Sequence, residues 1–175
     1  MNELNYKETW EGNYRDVSFE IVHWRMGWNY YLYIPREQLP DELETKFNLP
    51  MKHSQITPDS PIRYYADYDY APIISDLEWH GGITFYEKYR DEVGKIAGYK
   101  LGCDYLHSFD EHQHYTQGSV MEDVKHSIDK LHELVPNLKV RCSYNGKYYP
   151  LNETFLTDKN VRVANVNKEK WYKPI

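Results

Sequence analysis

Two stretches of alternating residues, separated by a glycine, constrain the fold more than any other feature of the sequence. Residues 14–24 place Val17, Phe19 and Ile21 on one side of an extended chain and the residues between them on the other. After Gly27, the run WNYYLYI is rich in strand-forming residues and ends before a proline. Two such runs around a glycine predict a β-hairpin, which requires a sheet with one buried face.

Residues 119–135 carry the clearest helical pattern. Ser119 and Glu122 have the spacing of a capping box, which would satisfy free N–H groups at the helix start. A Pro-Asn pair follows and ends the helix. His126 and His132 lie off the apolar stripe and are expected to be exposed. The stripe repeats at helical spacing through Met121, Val124, Ile128, Leu131 and Val135.

Further strands are predicted in the second half of the chain. Residues 79–89 and 97–106 read as two strands joined by a polar loop, RDEVGK. Residues 138–151 read as strand, Asn-Gly turn and strand, with Cys142 in the core. A final strand is expected over residues 161–166.

These elements predict an α+β fold in a single domain over residues 1–175. We expect a mostly antiparallel sheet covered by one principal amphipathic helix, residues 119–135. The length of 175 residues suits one domain. Residues 35–62 contain five prolines, which exclude a long helix but permit a short one over residues 40–47.

Composition and charge indicate which classes of partner are expected. The formal net charge is −6, distributed as −5 over residues 1–72, −4 over residues 73–118 and +3 over residues 119–175. An acidic chain gains little from counterion release, so a nucleic-acid partner is not favoured. No apolar run is long enough to cross a membrane, no secretory signal is visible and two cysteines make no disulfide framework. We therefore expect a cytoplasmic protein.

Histidines and acidic residues cluster where the two middle strands would meet. His80 precedes one strand, and Asp104, His107 and Asp110 follow the other. If these strands pair antiparallel, all four residues lie at one edge of the sheet. The tyrosines of residues 64–70, with Trp79, Tyr86 and Tyr105, bracket this cluster in sequence. They are expected to wall a pocket if they also bracket it in space.

The residue types permit several chemistries. Imidazole and carboxylate together suit zinc or manganese, with His80, Asp104 and His107 as tentative ligands and Asp110 or Glu111 as catalytic candidates. No His-Glu-x-x-His or paired Cys-x-x-Cys motif is present, so no cofactor is established. The same residues can instead organise the loops through bonds to backbone N–H groups. The predicted ligand-binding set is His80, Asp104, His107, Asp110, Tyr105 and Trp79.

The segment His80-Gly81-Gly82-Ile83-Thr84, followed by Gly102-Cys103-Asp104-Tyr105-Leu106-His107 and Asp110, resembles a known pattern. It is similar to a group of small uncharacterised phage and bacterial proteins with the pattern HGG(I/L)T … GxDxxHxxD followed by an amphipathic helix. In this chain Ser108 and Phe109 stand between His107 and Asp110, where that group often has a glycine. The resemblance implies a phage or mobile-element context, in which the protein would lie in the host-cell cytoplasm, and it supplies no reaction.

Three function hypotheses follow. The first is an accessory protein that binds a host protein or a small nucleotide-like ligand and counteracts a host defence. The alternative is a metal-dependent hydrolase that acts on a phosphodiester-type bond. A structural or interaction protein, which would form a homo-oligomer, is the third.

Overall fold

Six strands form the main sheet of the protein. The computed structural model describes residues 6–47, 62–64 and 72–172. The strands are β1 (Lys7–Tyr14), β2 (Val17–Trp24), β3 (Gly27–Pro35), β4 (Ile62–Tyr64), β5 (Phe85–Arg90) and β6 (Ile96–Asp104). Their order is β1–β2–β3–β6–β5–β4, and every neighbouring pair is antiparallel. The predicted α+β class and antiparallel sheet are confirmed.

The predicted hairpin is β2–β3, which pair from Ser18 with Tyr33 to Trp24 with Gly27. Its neighbour β1 was not predicted, because this edge strand is largely exposed and only its second half alternates, with partly buried Trp10 and Tyr14. The turn that joins β1 to β2 consists of Arg15 and Asp16, both at positive φ (47° and 66°). That backbone is typical of a type I′ turn, but residues 15 and 16 are not the Asn-Gly pair by which such turns are usually recognised in a sequence.

Four helices accompany the sheet in the described part of the chain. They are α1 (Asp41–Phe47), α2 (Pro72–Ser75), α3 (Gln117–Leu134) and α4 (Lys168–Tyr172). The principal helix is α3, which packs on the inner face of the sheet against β2 and β3. Among the described residues, no helix is long and apolar enough to cross a membrane.

The start of α3 differs from the prediction. Thr116 is the N-cap: its Oγ1 accepts the N–H of Ser119 at 3.1 Å, and Ser119 Oγ accepts the N–H of Thr116 at 2.9 Å. The capping box is therefore Thr116–Ser119, and the predicted Ser119–Glu122 box is wrong. The expected exposure of His132 is also wrong, because His132 is buried with its Nε2 2.7 Å from the carbonyl of Arg15. His126 is exposed, as predicted.

Tyrosine hydroxyls attach the helices to the sheet. Tyr30 and Tyr99 are fully buried on the inner face of the sheet, and burial raises the pKa of each hydroxyl. Tyr30 OH lies 2.9 Å from Ser127 Oγ on α3, and Tyr99 OH donates to Glu44 on α1 at 2.9 Å. Tyr86, on β5, donates to the carbonyl of Phe47 at 2.5 Å. The buried tyrosines thus supply apolar rings to the core while their hydroxyls find partners on the covering helices.

The C-terminal strands form two separate small hairpins. β7 (Lys139–Arg141) pairs with β8 (Tyr148–Pro150), and β9 (Thr154–Leu156) pairs with β10 (Arg162–Ala164). Gly146 has the positive φ (73°) that was predicted, but Asn145 does not, and residues 142–147 separate β7 from β8, so the connection is longer than the predicted tight Asn-Gly turn. Arg162 binds Asp16 of the β1–β2 turn at 2.9 Å, which ties the second hairpin to the main sheet.

Substitution of Gly102 tests how closely β6 packs against β3. A Cβ at this position would lie 2.6 Å from the carbonyl oxygen of Tyr30 and inside the ring of Tyr31. We expect Gly102→Ala to lower the free energy of unfolding by about 1–3 kcal/mol, measured by denaturant titration. Gly118→Ala on α3, where a Cβ would make only an ordinary contact with Thr116 Oγ1 at 3.7 Å, is the matched control and should leave stability equal or up to about 1 kcal/mol higher. A Gly102→Ala variant as stable as the wild type would contradict this packing.

Candidate functional site

The pairing of β5 with β6 creates the site. Phe85 pairs with Gly102, and Thr84 N–H donates to the carbonyl of Gly102 at 3.0 Å. The turn before β5 therefore lies beside the turn that follows β6. This is the edge at which the sequence placed His80 and Asp110, whose Nε2 and Oδ1 atoms lie 2.7 Å apart.

Asp110 is the centre of the cluster. It ends the 3-10 turn Ser108–Asp110, and its side chain is only 3 % exposed. Oδ1 accepts from His80 Nε2 and from the hydroxyl of Tyr115. Oδ2 accepts from the N–H and from Nδ1 of His107, both at 3.0 Å. Because an ionised carboxylate only accepts hydrogen bonds, it sets the tautomers of both imidazoles: His80 is protonated at Nε2 and His107 at Nδ1.

These donors hold the carboxylate of Asp110 in its ionised form. Burial by itself would raise the pKa of Asp110, but hydrogen bonds from Tyr115, from the amide of His107 and from the imidazoles of His80 and His107 outweigh it. The pKa of Asp110 is lowered to about 2. Burial and the hydrogen bond to Asp110 raise the pKa of the Tyr115 hydroxyl to about 12. Asp110 is therefore a fixed anion that orients two imidazoles.

The ring of His80 is held by aromatic neighbours and a second carboxylate. It stacks on Tyr105 with the ring centroids 3.8 Å apart and the planes 9° from parallel. Tyr105 donates its hydroxyl to Asp123 Oδ2 at 2.5 Å, and the same oxygen lies 3.8 Å from His80 Nδ1. Burial and the contact with Asp123 raise the pKa of Tyr105. Both nitrogens of His80 thus face carboxylates.

His107 requires the glycine that follows His80. Its ring stacks on Phe109 at 4.9 Å and 6°. On another side it packs against Gly81, where a Cβ would lie 2.6 Å from His107 Nε2. Gly81 also has φ 67°, so any side chain there would be strained as well as crowded. The glycine that follows it has open space and φ 98°, so the turn alone explains it.

The predicted site residues do not all join the cluster. His80, His107 and Asp110 bring their ligand atoms within 4.8 Å of one another, so Asp110 stands where the predicted metal set had Asp104. Asp104 Oδ1 is 4.0 Å from His107 Nδ1 and accepts the N–H of Leu106, which organises the turn. The 3-10 turn brings Asp110 back over His107, whereas Asp104 is still part of β6.

Among the aromatic residues predicted as pocket walls, some belong to the core and one lines a cleft. Trp79 is buried in the core and donates to the carbonyl of Ile74 at 2.8 Å, so it supports the turn and does not face a ligand. Tyr86 is likewise a core residue. Tyr105 does line a cleft. The tyrosines of residues 65–70 lie outside the described residues.

Asp123 and Tyr115 belong to the site but were not predicted from the sequence. Asp123 precedes Val124 of the apolar stripe, and so lies at the edge of the helix face that meets the sheet. Tyr115 precedes the N-cap residue Thr116, and a correctly placed capping box would have brought it to attention. Neither residue carries a motif of its own.

A cleft of about 640 Å³ opens beside the cluster. Its walls come from the β2–β3 turn (residues 23–28) and from residues 105–115, and they include His107, Asp110 and Tyr115. On the wall formed by the β2–β3 turn, His23 stacks on Trp28 with the centroids 3.9 Å apart and the planes 6° from parallel. Glu111, a predicted catalytic candidate, is exposed and lines this cleft. The cleft thus joins aromatic surfaces to a fixed polar cluster.

Comparison with known proteins finds no matching family model, no similar curated protein and no similar solved structure. The function must therefore be argued from the cluster and the cleft. The likeness of the His80–Thr84 and Gly102–Asp110 segments to phage and bacterial proteins stays a prediction.

The low pKa of Asp110 predicts an acid-sensitive contribution to stability. The carboxyl has a pKa near 3.9 in the unfolded chain and about 2 in the folded one, so its contribution is present above about pH 4 and is lost as pH falls to 2. The shift corresponds to about 2 kcal/mol. We expect Asp110→Asn to be less stable than wild type at neutral pH and to lack this part of the acid dependence, measured by denaturant unfolding from pH 7 to pH 2. Asp158→Asn, at an exposed loop carboxylate, should keep the wild-type profile.

Proposed function

We propose that the protein acts by binding a small nucleotide-like ligand in the cleft between residues 23–28 and 105–115. The observation that carries this proposal is the combination of stacked rings and hydrogen-bonding groups with fixed orientation in one concave site. Counteracting a host defence is the role that a phage or mobile-element context would give such a protein. That context rests only on the resemblance of the His80–Thr84 and Gly102–Asp110 segments.

The size of the cleft supports a small molecule. About 640 Å³ is within the range of roughly 300–1,000 Å³ typical of small-ligand sites. Planar heterocycles gain from contact with aromatic rings, and His23, Trp28, Tyr105 and Tyr115 line this cleft. Trp28 and Tyr105 are buried against stacked neighbours, so His23 and Tyr115 are the rings that a ligand would contact. A host protein as the partner is less favoured, because the polar groups of the cluster are recessed beside a cleft.

The polar side of the cleft is organised before any ligand arrives. Asp110 accepts the hydrogen bond of His107 Nδ1 and so keeps the ring proton on that nitrogen, which leaves Nε2 as the hydrogen-bond acceptor of the neutral ring. Arg25 and Glu111 add opposite charges to the lining of the cleft. A ligand that carries both donors and acceptors, such as a nucleoside or a nucleotide, matches this mixture. Prior orientation of these groups reduces the entropy that binding would cost.

A ligand panel tests the proposal. We expect one or more nucleosides or nucleotides to raise the Tm of the purified wild-type protein in a thermal-shift assay, since binding to the native state stabilises it. The shift should be lost in Tyr115→Phe or His107→Ala, followed by calorimetric measurement of Kd. His126→Ala, which removes an exposed imidazole on α3 outside the cleft, is the matched control and should bind as wild type does. Wild-type protein with no shift across the panel would contradict the proposal.

A second candidate function is metal-dependent hydrolysis of a phosphodiester-type bond. Two imidazole nitrogens and a carboxylate oxygen within 4.8 Å of one another form a donor set that zinc or manganese accepts. Binding through His80 Nε2 and His107 Nδ1 would require the proton on each of these atoms to move to the other nitrogen of its ring. Because a protonated imidazolium does not bind a metal, affinity would fall at acidic pH. The ion would supply Lewis-acid activation of the substrate.

The two catalytic candidates are unequal as proton acceptors. Asp110 already accepts four hydrogen bonds and has a pKa of about 2, which makes it a weak base. Glu111 is exposed at the cleft and is the better placed of the two. A hydrolase at this site would therefore use Glu111 as base and keep Asp110 as a ligand or an orienting group.

Elemental analysis separates the two candidate functions. The metal hypothesis predicts near-stoichiometric zinc or manganese in the purified wild-type protein. His107→Ala should lose that metal, and His126→Ala should keep it. Wild-type protein that stays free of metal after dialysis against both ions would contradict the hydrolase and leave the ligand proposal standing.

A further inference from the structure

The C-terminal segment, residues 138–172, has a small core of its own. Besides Leu138, which belongs to the main core, and Val140, its fully buried side chains are Cys142, Val163 and Ala164, with partly buried Tyr149, Phe155, Val161 and Trp171 packed around them. Units with so few buried side chains usually depend on a metal ion or a disulfide. This one has no disulfide, since Cys142 is a free thiol.

The sulfur of Cys142 lies at the centre of a ring of N–H donors. Ala164 N–H donates to Sγ at 3.3 Å, and Asn167 Nδ2 donates to it at 3.7 Å. The backbone N–H groups of Tyr144 and Asn145 also donate to the sulfur. The chain after Cys142 turns sharply, with Gly146 N–H bonded to the carbonyl of Cys142 at 2.8 Å. Donors from two distant parts of the chain thus converge on one thiol.

Four positions around this sulfur have the spacing of a zinc site. Cys142 and Asn145 are separated by two residues, and so are Ala164 and Asn167. The two pairs are separated by residues 146–163, which is 18 residues. Four-cysteine zinc units have pairs of the form Cys-x2-Cys about 15–20 residues apart. The first pair lies in the turn after β7, and the second lies in the 3-10 turn that leads into α4.

We propose that residues 138–172 are a zinc-ribbon-type unit that folds without its metal, in which N–H donors to the Cys142 sulfur have taken over the role of the ion. Of the four ligand positions, only Cys142 keeps a zinc-binding side chain. One thiolate does not make a zinc site, so the native unit is metal-free. The amide of Asn167 and the backbone of Ala164 now connect the second pair to the first through the sulfur.

The two cysteines of the chain show that burial alone does not create this environment. Both side chains are fully buried. Burial raises the pKa of the Cys103 thiol to about 12. At Cys142 burial also acts to raise the pKa, but the N–H donors outweigh it and the pKa is lowered from its ordinary value. The surroundings of Cys142 therefore favour a charged sulfur, as a metal-binding pocket would.

Restoring the missing ligands tests the proposal. The variant N145C/A164C/N167C, made in a His107→Ala background so that the Asp110 cluster does not contribute, should bind one zinc ion per chain. Cobalt should give the near-ultraviolet thiolate-to-metal absorption that imidazole and carboxylate ligands do not produce, and zinc should displace it. The same variant with Cys142→Ser is the matched control and should bind at least tenfold more weakly, since a ligand is lost. A folded variant that binds no more metal than the His107→Ala protein overturns the proposal.

Hydrogen exchange of the native chain supplies a second test that needs no new ligands. Cys142→Ala removes the acceptor, so the amides of residues 138–172 should exchange roughly tenfold faster than in wild type, while those of β2 and β3 stay protected. Cys103→Ala, in the main core, is the matched control and should not affect this segment selectively. Unchanged protection of residues 138–172 in Cys142→Ala would overturn the role given to the sulfur.

Discussion

The antiparallel pairing of β3 with β6 is the constraint on which the rest of the structure depends. It runs from Asn29 opposite Asp104 to Pro35 opposite Gly98. This pairing joins the half of the sheet formed by β1, β2 and β3 to the half formed by β4, β5 and β6. The inner faces of these two strands supply much of the core under α3. The end of the pair also sets the site, since Tyr105 N–H donates to the carbonyl of Trp28 at 2.9 Å just before the chain turns toward Asp110.

At that edge, the carboxylate of Asp110 connects several segments of the chain through hydrogen bonds. Asp110 joins the turn before β5, the turn after β6 and the residue that precedes α3, through His80, His107 and Tyr115 respectively. A buried anion is stable only when donors surround it, so each of these partners depends on the others. The result is a rigid polar cluster beside a cleft with aromatic walls, an arrangement suited to recognition and compatible with a metal.

The tyrosine content has two structural uses in the described part of the chain. On the inner face, rings fill the core while hydroxyls hold α1 and α3 to the sheet, as Tyr30 and Tyr99 show. At the site, Tyr105 and Tyr115 position His80 and Asp110. A phenylalanine at any of these positions would pack but would leave its polar partner unsatisfied. This accounts for the preference for tyrosine over phenylalanine where both polar and apolar contacts are needed.

What the sequence determined by itself was local. Alternation at Val17, Phe19 and Ile21 identified β2, helical spacing identified most of α3, and the positions of His80 and Asp110 relative to two strands identified the edge where they meet. These predictions agree with the structure because each depends on residue periodicity or on strand direction. Tertiary structure decided the rest. The edge strand β1 forms mainly through backbone pairing with β2, since only Trp10 and Tyr14 pack on the core, and Asp110 replaces Asp104 because a 3-10 turn reverses the chain. The four positions around Cys142 likewise became visible only when folding placed them near one sulfur, since three of them carry asparagine or alanine instead of cysteine.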